Sequence, residues 1–281
     1  MSPTVASTRA RSTGRAKPRK RRRPDRIKLW TGRLNRTRPG LVQFTLDGLA
    51  GIYGHQAWQR RLDPTSELIL TILTQNSADT NAENAFESLR AAYPGDGEVE
   101  IHNPGIGWGG KGLPPGRAPN WAKVEAAPLA DLIEAIRTGG LAPQKAPRIQ
   151  AALRRIREER GDYSLEFLGD MPALEAREWL TGIGGIGKKT ASILLLFCFG
   201  QPLMPVDRHV ERVAKRIGLI PAKATADQAH EYFLALLEPD QMYEAHVNLI
   251  HHGRVICEAR RPAHDRCPVA DRCRFIDPKA P

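Results

Sequence analysis

Leu180-Thr181-Gly182-Ile183-Gly184-Gly185-Ile186-Gly187-Lys188-Lys189-Thr190-Ala191 decides how this chain is read, and the apolar residues 192–199 follow it directly. Three readings compete. Gly182, Gly184 and Gly187 spell a dinucleotide-binding fingerprint, with Asp207 twenty residues beyond Gly187. That fingerprint has meaning only after a strand, and residues 174–180 are charged and helical in period. A phosphate-binding P-loop fails too, because Lys189 stands where Ser or Thr must hold magnesium. The third reading is helix, glycine hairpin, helix. Its glycines let the backbone turn tightly and bring bare amides at a helix N-terminus, near Lys188, against an anion. A DNA phosphate fits such a site and is contacted without any reading of base sequence. A ligand-free glycine connection explains the turn but not the paired lysines behind it.

Outward from this hairpin, apolar residues recur at helical spacing, as in Leu68-Ile69-Ile72-Leu73, Leu129-Leu132-Ile133-Ile136, Ile149-Leu153-Ile156 and Tyr232-Leu236-Leu237. Strand-like alternation is nearly absent. Gly and Pro between the segments suit short helix connections. The body, residues 41–277, is therefore expected to be all-α.

The chain has 281 residues, 42 Lys and Arg, 31 Asp and Glu, and 41% apolar residues, the composition of a soluble globular protein. No apolar stretch approaches the roughly 20 residues of a membrane span, and no secretory segment opens the sequence. Residues 1–38 hold 14 basic side chains and one acid, Asp25, while the remainder carries 28 basic and 30 acidic ones. The net charge of +11 thus describes the tail rather than the body. That tail is expected to be disordered, either as a solvated extension or as an arm that releases counterions from phosphates. Residues 94–119 are rich in Gly and Pro and read as a long loop. Within it, Gly105 to Lys111 imitates a P-loop, but Gly112 lacks the hydroxyl and no strand precedes it. Trp108 is suited either to stacking on a base or to anchoring its own loop.

Gly185-Ile186-Gly187-Lys188-Lys189-Thr190-Ala191, then Phe199-Gly200, then Val206-Asp207-Arg208-His209-Val210-Glu211-Arg212-Val213 resemble the helix-hairpin-helix DNA glycosylases, in their endonuclease III branch. The resemblance runs from about Phe44 to Cys273. Lys189 and Asp207 are 18 positions apart, the family's spacing for its catalytic lysine and aspartate. The resemblance implies that Lys189 attacks the anomeric carbon of a flipped nucleotide and that Asp207 stabilises the sugar cation or accepts a proton. An amine with an ordinary pKa near 10.4 must be desolvated or crowded by cations to do this. Lys188 is the adjacent cation and the apolar helix supplies a dry wall. Taken alone, Asp207 would simply cap the helix of residues 208–217. Gly185, Gly187, Lys188 and Thr190 are the implied phosphate contacts. Gln75 or Asn76 would face the orphan base and Leu141 would wedge the stack, although helix capping by Thr74 or Asn76 explains that stretch almost as well.

Cys257, His264, Cys267 and Cys273 match the family's 4Fe-4S loop, whose cysteines are spaced by six, two and five residues, with His264 at the second position. A Cys3His cluster, a Cys3His zinc site and no metal all remain open. Arg260, Arg261, Arg266, Arg272 and Arg274 would make the loop a basic surface. Cys198 reads as plain core. The expected architecture is two helical lobes, residues 61–201 as a barrel and residues 39–60 with 202–277 as the second, with Lys189 and Asp207 in the cleft between. Excision of oxidised pyrimidines from double-stranded DNA, with cleavage of abasic sites, is the leading function; an adenine or mismatched-thymine glycosylase and a non-catalytic DNA-binding module are the alternatives. A monomer is expected, in the cytoplasm at the nucleoid, or in a nucleus or organelle if the source is eukaryotic.

Overall fold

The computed structural model describes residues 25–96, 100–103 and 112–281. The helical reading holds: among these residues twelve α-helices carry the fold. They are α1 (Arg26–Thr37), α2 (Leu41–Tyr53), α3 (Pro64–Thr74), α4 (Asp79–Ala92), α5 (Trp121–Ala126), α6 (Leu129–Ala135), α7 (Ala142–Arg160), α8 (Ala173–Thr181), α9 (Lys188–Phe199), α10 (Arg208–Ile217), α11 (Ala226–Leu236) and α12 (Met242–Val255). No helix among the described residues is long and apolar enough to cross a membrane.

Local chemistry sets the boundaries. Asp63 caps α3 by accepting from Thr65 N and Ser66 N, and Pro64 supplies a preset first turn. Thr225 and Gln228 form a reciprocal capping box on α11. Gly161, Gly200 and Gly218 end α7, α9 and α10 in the left-handed region.

Two apolar cores result. The first gathers Leu62, Leu68, Ile69, Phe86, Leu132, Ile149, Leu180, Leu194 and their neighbours up to Leu203. The second gathers Leu34, Leu41, Leu49, Val210, Ile217, Phe233, Leu249 and Val269. Helix α9 serves both, giving Leu194, Leu195 and Cys198 to the first and Leu196 and Phe197 to the second.

Two expectations need correction. The tail is not disordered throughout residues 1–38, because 26–37 form α1 and dock on α11. Asp25 caps the helix, Leu34 is buried, and Trp30 Nε1 donates to Leu219 O at 2.8 Å. Arg38, 1% exposed, donates to Ile217 O at 2.8 Å and to Arg272 O. Charge counting hid the helical spacing of Ile27, Trp30 and Leu34. The basic stretch before residue 25 lies outside the described residues. Likewise, the segment 94–119 is not only loop: β1 (Glu100–Asn103) and β2 (Leu113–Arg117) pair antiparallel. Arg90 on α4 fastens this hairpin by donating to Pro114 O, Pro115 O and Arg117 O, so its Pro-rich strand is held by its carbonyls. Trp108 and Lys111 lie outside the described residues.

Candidate active site

The glycine run turns between α8 and α9 with its two isoleucines inward. Ile183 and Ile186 are 2% and 5% exposed within the first core. Gly185 lies at φ +86°, where a side chain is strained, and a Cβ there would come within 3.2 Å of Arg148 Cδ. Gly187 is the N-cap of α9 and no side chain caps it. A Cβ on Gly184 or Gly187 would meet nothing within 4 Å. The outer face of the hairpin is therefore open at the amides that begin α9.

Lys189 sits in the first turn of α9, facing the start of α10. Burial lowers its pKa; the carboxylates of Asp207 and Asp79 oppose that shift, while Arg254 and Arg61 add to it. The expected neighbour, Lys188, does not supply the cationic push. Its Nζ turns aside to Glu231 at 2.8 Å, where Arg177 also binds at 3.0 Å. Adjacent residues on a helix point about 100° apart, so sequence neighbours are poor electrostatic neighbours.

Asp207 caps α10, accepting from His209 N and Val210 N at 2.8 Å each. Both bonds fall on Oδ1, and the same carboxylate faces Lys189. Further groups complete the surroundings, and none was evident from local motifs. Asp79, at the start of α4, pairs with Arg254 of α12 at 3.0 Å. Arg61 forms a two-pronged ion pair with the fully buried Glu67. His246 lies beneath, its Nδ1 3.0 Å from Pro205 O, and burial pulls its pKa down to about 4. An amine of lowered basicity thus faces a carboxylate among opposed charges.

Of the two expected wedge loops, the first meets the hairpin. Gln75 is tied to it: its Nε2 is 3.5 Å from Gly185 O and from Thr190 Oγ1, and Arg148 Nη1 donates to its Oε1 at 3.3 Å. Asn76 is exposed at the tip. Thr74 Oγ1 donates back to Thr71 O at 2.8 Å, and α4 has no side-chain cap, so the capping alternative is not what forms. Leu141 is 44% exposed ahead of α7. Thr190 is buried, leaving its backbone amide rather than its hydroxyl for any phosphate.

Cys257, Cys267 and Cys273 follow α12 and pack beside the second core. Burial pushes the Cys267 and Cys273 thiols up, while backbone N–H groups that reach the sulfurs, from Val269 to Cys267 and from Phe275 and Ile276 to Cys273, act the other way. Arg216 Nη1 is 3.4 Å from Cys257 Sγ. Left to themselves the Cys267 and Cys273 thiols stay protonated, but with N–H donors already placed at their sulfurs the three residues suit a cation that would displace the protons, as in a thiolate-bound metal group. Among the described residues no three potential ligands are gathered as for a single ion. His264 is exposed and stands edge-on to Phe275, with ring centroids 5.9 Å apart. The imidazole that meets a thiol is instead the buried His252, whose Nε2 is 3.6 Å from Cys267 Sγ and whose Nδ1 is 3.1 Å from Tyr53 Oη. Arg272 turns inward to Pro39 O and Pro281 O, whereas Arg260, Arg261 and Arg266 are exposed. Cys198 is fully buried core, as expected.

Comparison with known proteins agrees with this geometry. Residues 69–239 match the model of the HhH-GPD superfamily base excision DNA repair proteins. The endonuclease III of Sulfolobus acidocaldarius is 32% identical over 74% of this chain and 80% of its own length. That of Thermotoga maritima is 28% identical over 77% and 85%. Among solved structures, an endonuclease III in a non-covalent complex with DNA shares the fold with a TM-score of 0.64 at 23% identity, covering 85% of this chain and 96% of that one. A thermostable thymine-DNA glycosylase also scores 0.64, at 17% identity over 87% and 98%. The chain belongs to the HhH-GPD superfamily of base excision DNA repair proteins, in its endonuclease III branch of DNA glycosylase/AP lyases.

Proposed function

We propose that this glycosylase/lyase acts on duplex DNA carrying oxidised pyrimidines or abasic sites, with Lys189 as nucleophile and Asp207 as its carboxylate partner. The observation that carries the reading is a half-buried lysine at the start of α9, its basicity lowered, opposite the carboxylate that caps α10. A passive DNA clasp has no use for a desolvated amine; phosphates are better served by exposed lysines.

The steps follow from the groups present. Amides at the open hairpin face grip a backbone phosphate, and the damaged nucleotide leaves the stack to bring its anomeric carbon to Lys189. The neutral amine attacks C1′ while Asp207 stabilises the positive charge that develops on the sugar, and the base departs with its bonding pair and a proton. The C1′–O4′ bond then breaks as the nitrogen lone pair forms the C=N bond, O4′ takes a proton from water, and a protonated Schiff base remains on Nζ. Loss of a proton from C2′ then expels the 3′ phosphate, and hydrolysis of the imine returns the amine.

Asn76 and Leu141 would enter the duplex to fill the vacated space. Cys257, Cys267 and Cys273 would hold a 4Fe-4S cluster, whose part here is to cross-link the loop and support Arg260, Arg261 and Arg266 beside DNA. Residues 61–201, and residues 39–60 with 202–277, would act as two lobes around the cleft. Borohydride is expected to trap a covalent complex with abasic duplex, and Lys189→Gln to abolish it. A trapped complex of undiminished yield with the variant would overturn the assignment. A panel of oxidised, deaminated and alkylated bases tests the lesion class.

A further inference from the structure

Lys145 is 1% exposed, an unusual place for an ammonium group. Its Nζ, one turn into α7, donates to Leu73 O at 2.6 Å and to Gly139 O at 2.8 Å. Neither carbonyl belongs to its own helix. Leu73 O is among the last carbonyls of α3, where helices leave acceptors unpaired and favour a cation. Gly139 O ends the short turn after α6.

Each carbonyl stands just upstream of one exposed tip. Leu73 precedes Asn76 by three residues, and Gly139 precedes Leu141 by two. Asn76 at φ 53° and Leu141 at φ 52° are the non-glycine residues with left-handed backbone among those described. For a leucine that conformation costs about 1–2 kcal/mol and persists only where neighbours impose it. The two carbonyl-bearing segments also touch, since a Cβ on Gly139 would lie 3.6 Å from Leu73 Cδ2. One buried charge therefore bonds, at once, the backbone that leads to both strained tips.

We infer that Lys145 is a positioning residue that locks the Asn76 and Leu141 loops into a single wedge of fixed spacing, so that both tips enter the duplex as a unit. This rests on the glycosylase/lyase reading. A wedge matters only where a stack must be opened. A single strand carrying an abasic site needs no such opening, yet still reacts with Lys189.

The test is the rate of borohydride trapping by the full chain, on an abasic site in duplex and on the same strand unpaired. Lys145→Met removes the ammonium with little change in length. It is expected to slow duplex trapping by about tenfold or more, within the loss of up to about a hundredfold that a misplacement of 1 Å produces, and to leave single-strand trapping within about twofold. Equal loss on both substrates, or loss on neither, would overturn the inference. Because the variant leaves two carbonyls unpaired at a cost to folding, a double-mutant cycle on the exposed tips stands beside it. Asn76→Ala and Leu141→Ala should be non-additive for duplex trapping if the tips act as one, and additivity would overturn the inference equally. Wild-type protein trapping neither substrate would instead sink the parent reading.

Discussion

Asp207 has two jobs that substitution can separate. As the N-cap of α10 it accepts two backbone bonds of 2.8 Å, and as a carboxylate it faces Lys189. Asn caps a helix as well as Asp does, whereas Ala does not, with a typical cost of about 1 kcal/mol. Asp207→Ala should therefore lose about 1 kcal/mol, or about 2–4 °C in Tm for a chain of this size, and Asp207→Asn nearly nothing. Excision should respond differently. Both variants lack the carboxylate, so both should lose about a hundredfold to ten-thousandfold in single-turnover base release. Reaction with a preformed abasic site should suffer less, because no glycosidic bond remains to be broken and removing Asp207 takes away a charge that holds the Lys189 pKa up. The measurements are urea unfolding beside single-turnover excision at saturating enzyme. If Asp207→Asn excised at the wild-type rate, the catalytic half of the assignment would be wrong. If it unfolded as easily as Asp207→Ala, the capping half would be.

Gly185→Ala should destabilise by about 1–2 kcal/mol from its left-handed backbone alone, and should also weaken duplex binding in a titration, because Arg148 must move aside; a neutral outcome would refute the tight hairpin. His230 and His246 are both pulled down by burial to about 4. Neutral in the fold and more basic when unfolded, they make stability fall as pH drops from about 6.5 towards 4, by about 1.4 kcal/mol per pH unit each; denaturant midpoints that stay flat across that window would refute it. Cys267→Ser should remove bound iron and sulfide and lower Tm, and zinc in place of iron in the purified wild type would refute the cluster.

How legible each part was depended on whether its determinants were local. The glycine hairpin and the Asp207 cap could be read because a turn, a helix start and a cap are all written within a few residues of themselves, whereas the pairing of Lys189 with Asp207 came from the family resemblance. The groups that tune Lys189 could not. Asp79, Arg61 and Arg254 come from the start of α4, the approach to α3 and the end of α12, and nothing in their own neighbourhoods marks them. Lys188 misled for the same reason, since proximity in sequence on a helix is divergence in space. Helix α1 was concealed by charge: Ile27, Trp30 and Leu34 keep helical spacing, but so many arginines and lysines surround them that the composition reads as disorder. The β-hairpin was concealed by Pro114 and Pro115, which lack amides yet still offer the carbonyls that Arg90 uses.

The placement of Lys189 follows from α9 belonging to two cores. A lysine in the middle of either core would be walled off from a substrate, and one on an outer face would stay fully hydrated and protonated. Helix α9 inserts Leu194, Leu195 and Cys198 into one core and Leu196 and Phe197 into the other, so its axis runs along their junction. Its N-terminal turn is then the place where a side chain can be desolvated by both bodies of protein and still open outward. The Asp79–Arg254 pair brings α4 and α12 together beside that turn, and the hairpin presents unfilled amides one residue before it. On the proposed function, phosphate grip and nucleophile would be held in register by the same helix end, and a change that tilted α9 should disturb binding and chemistry together.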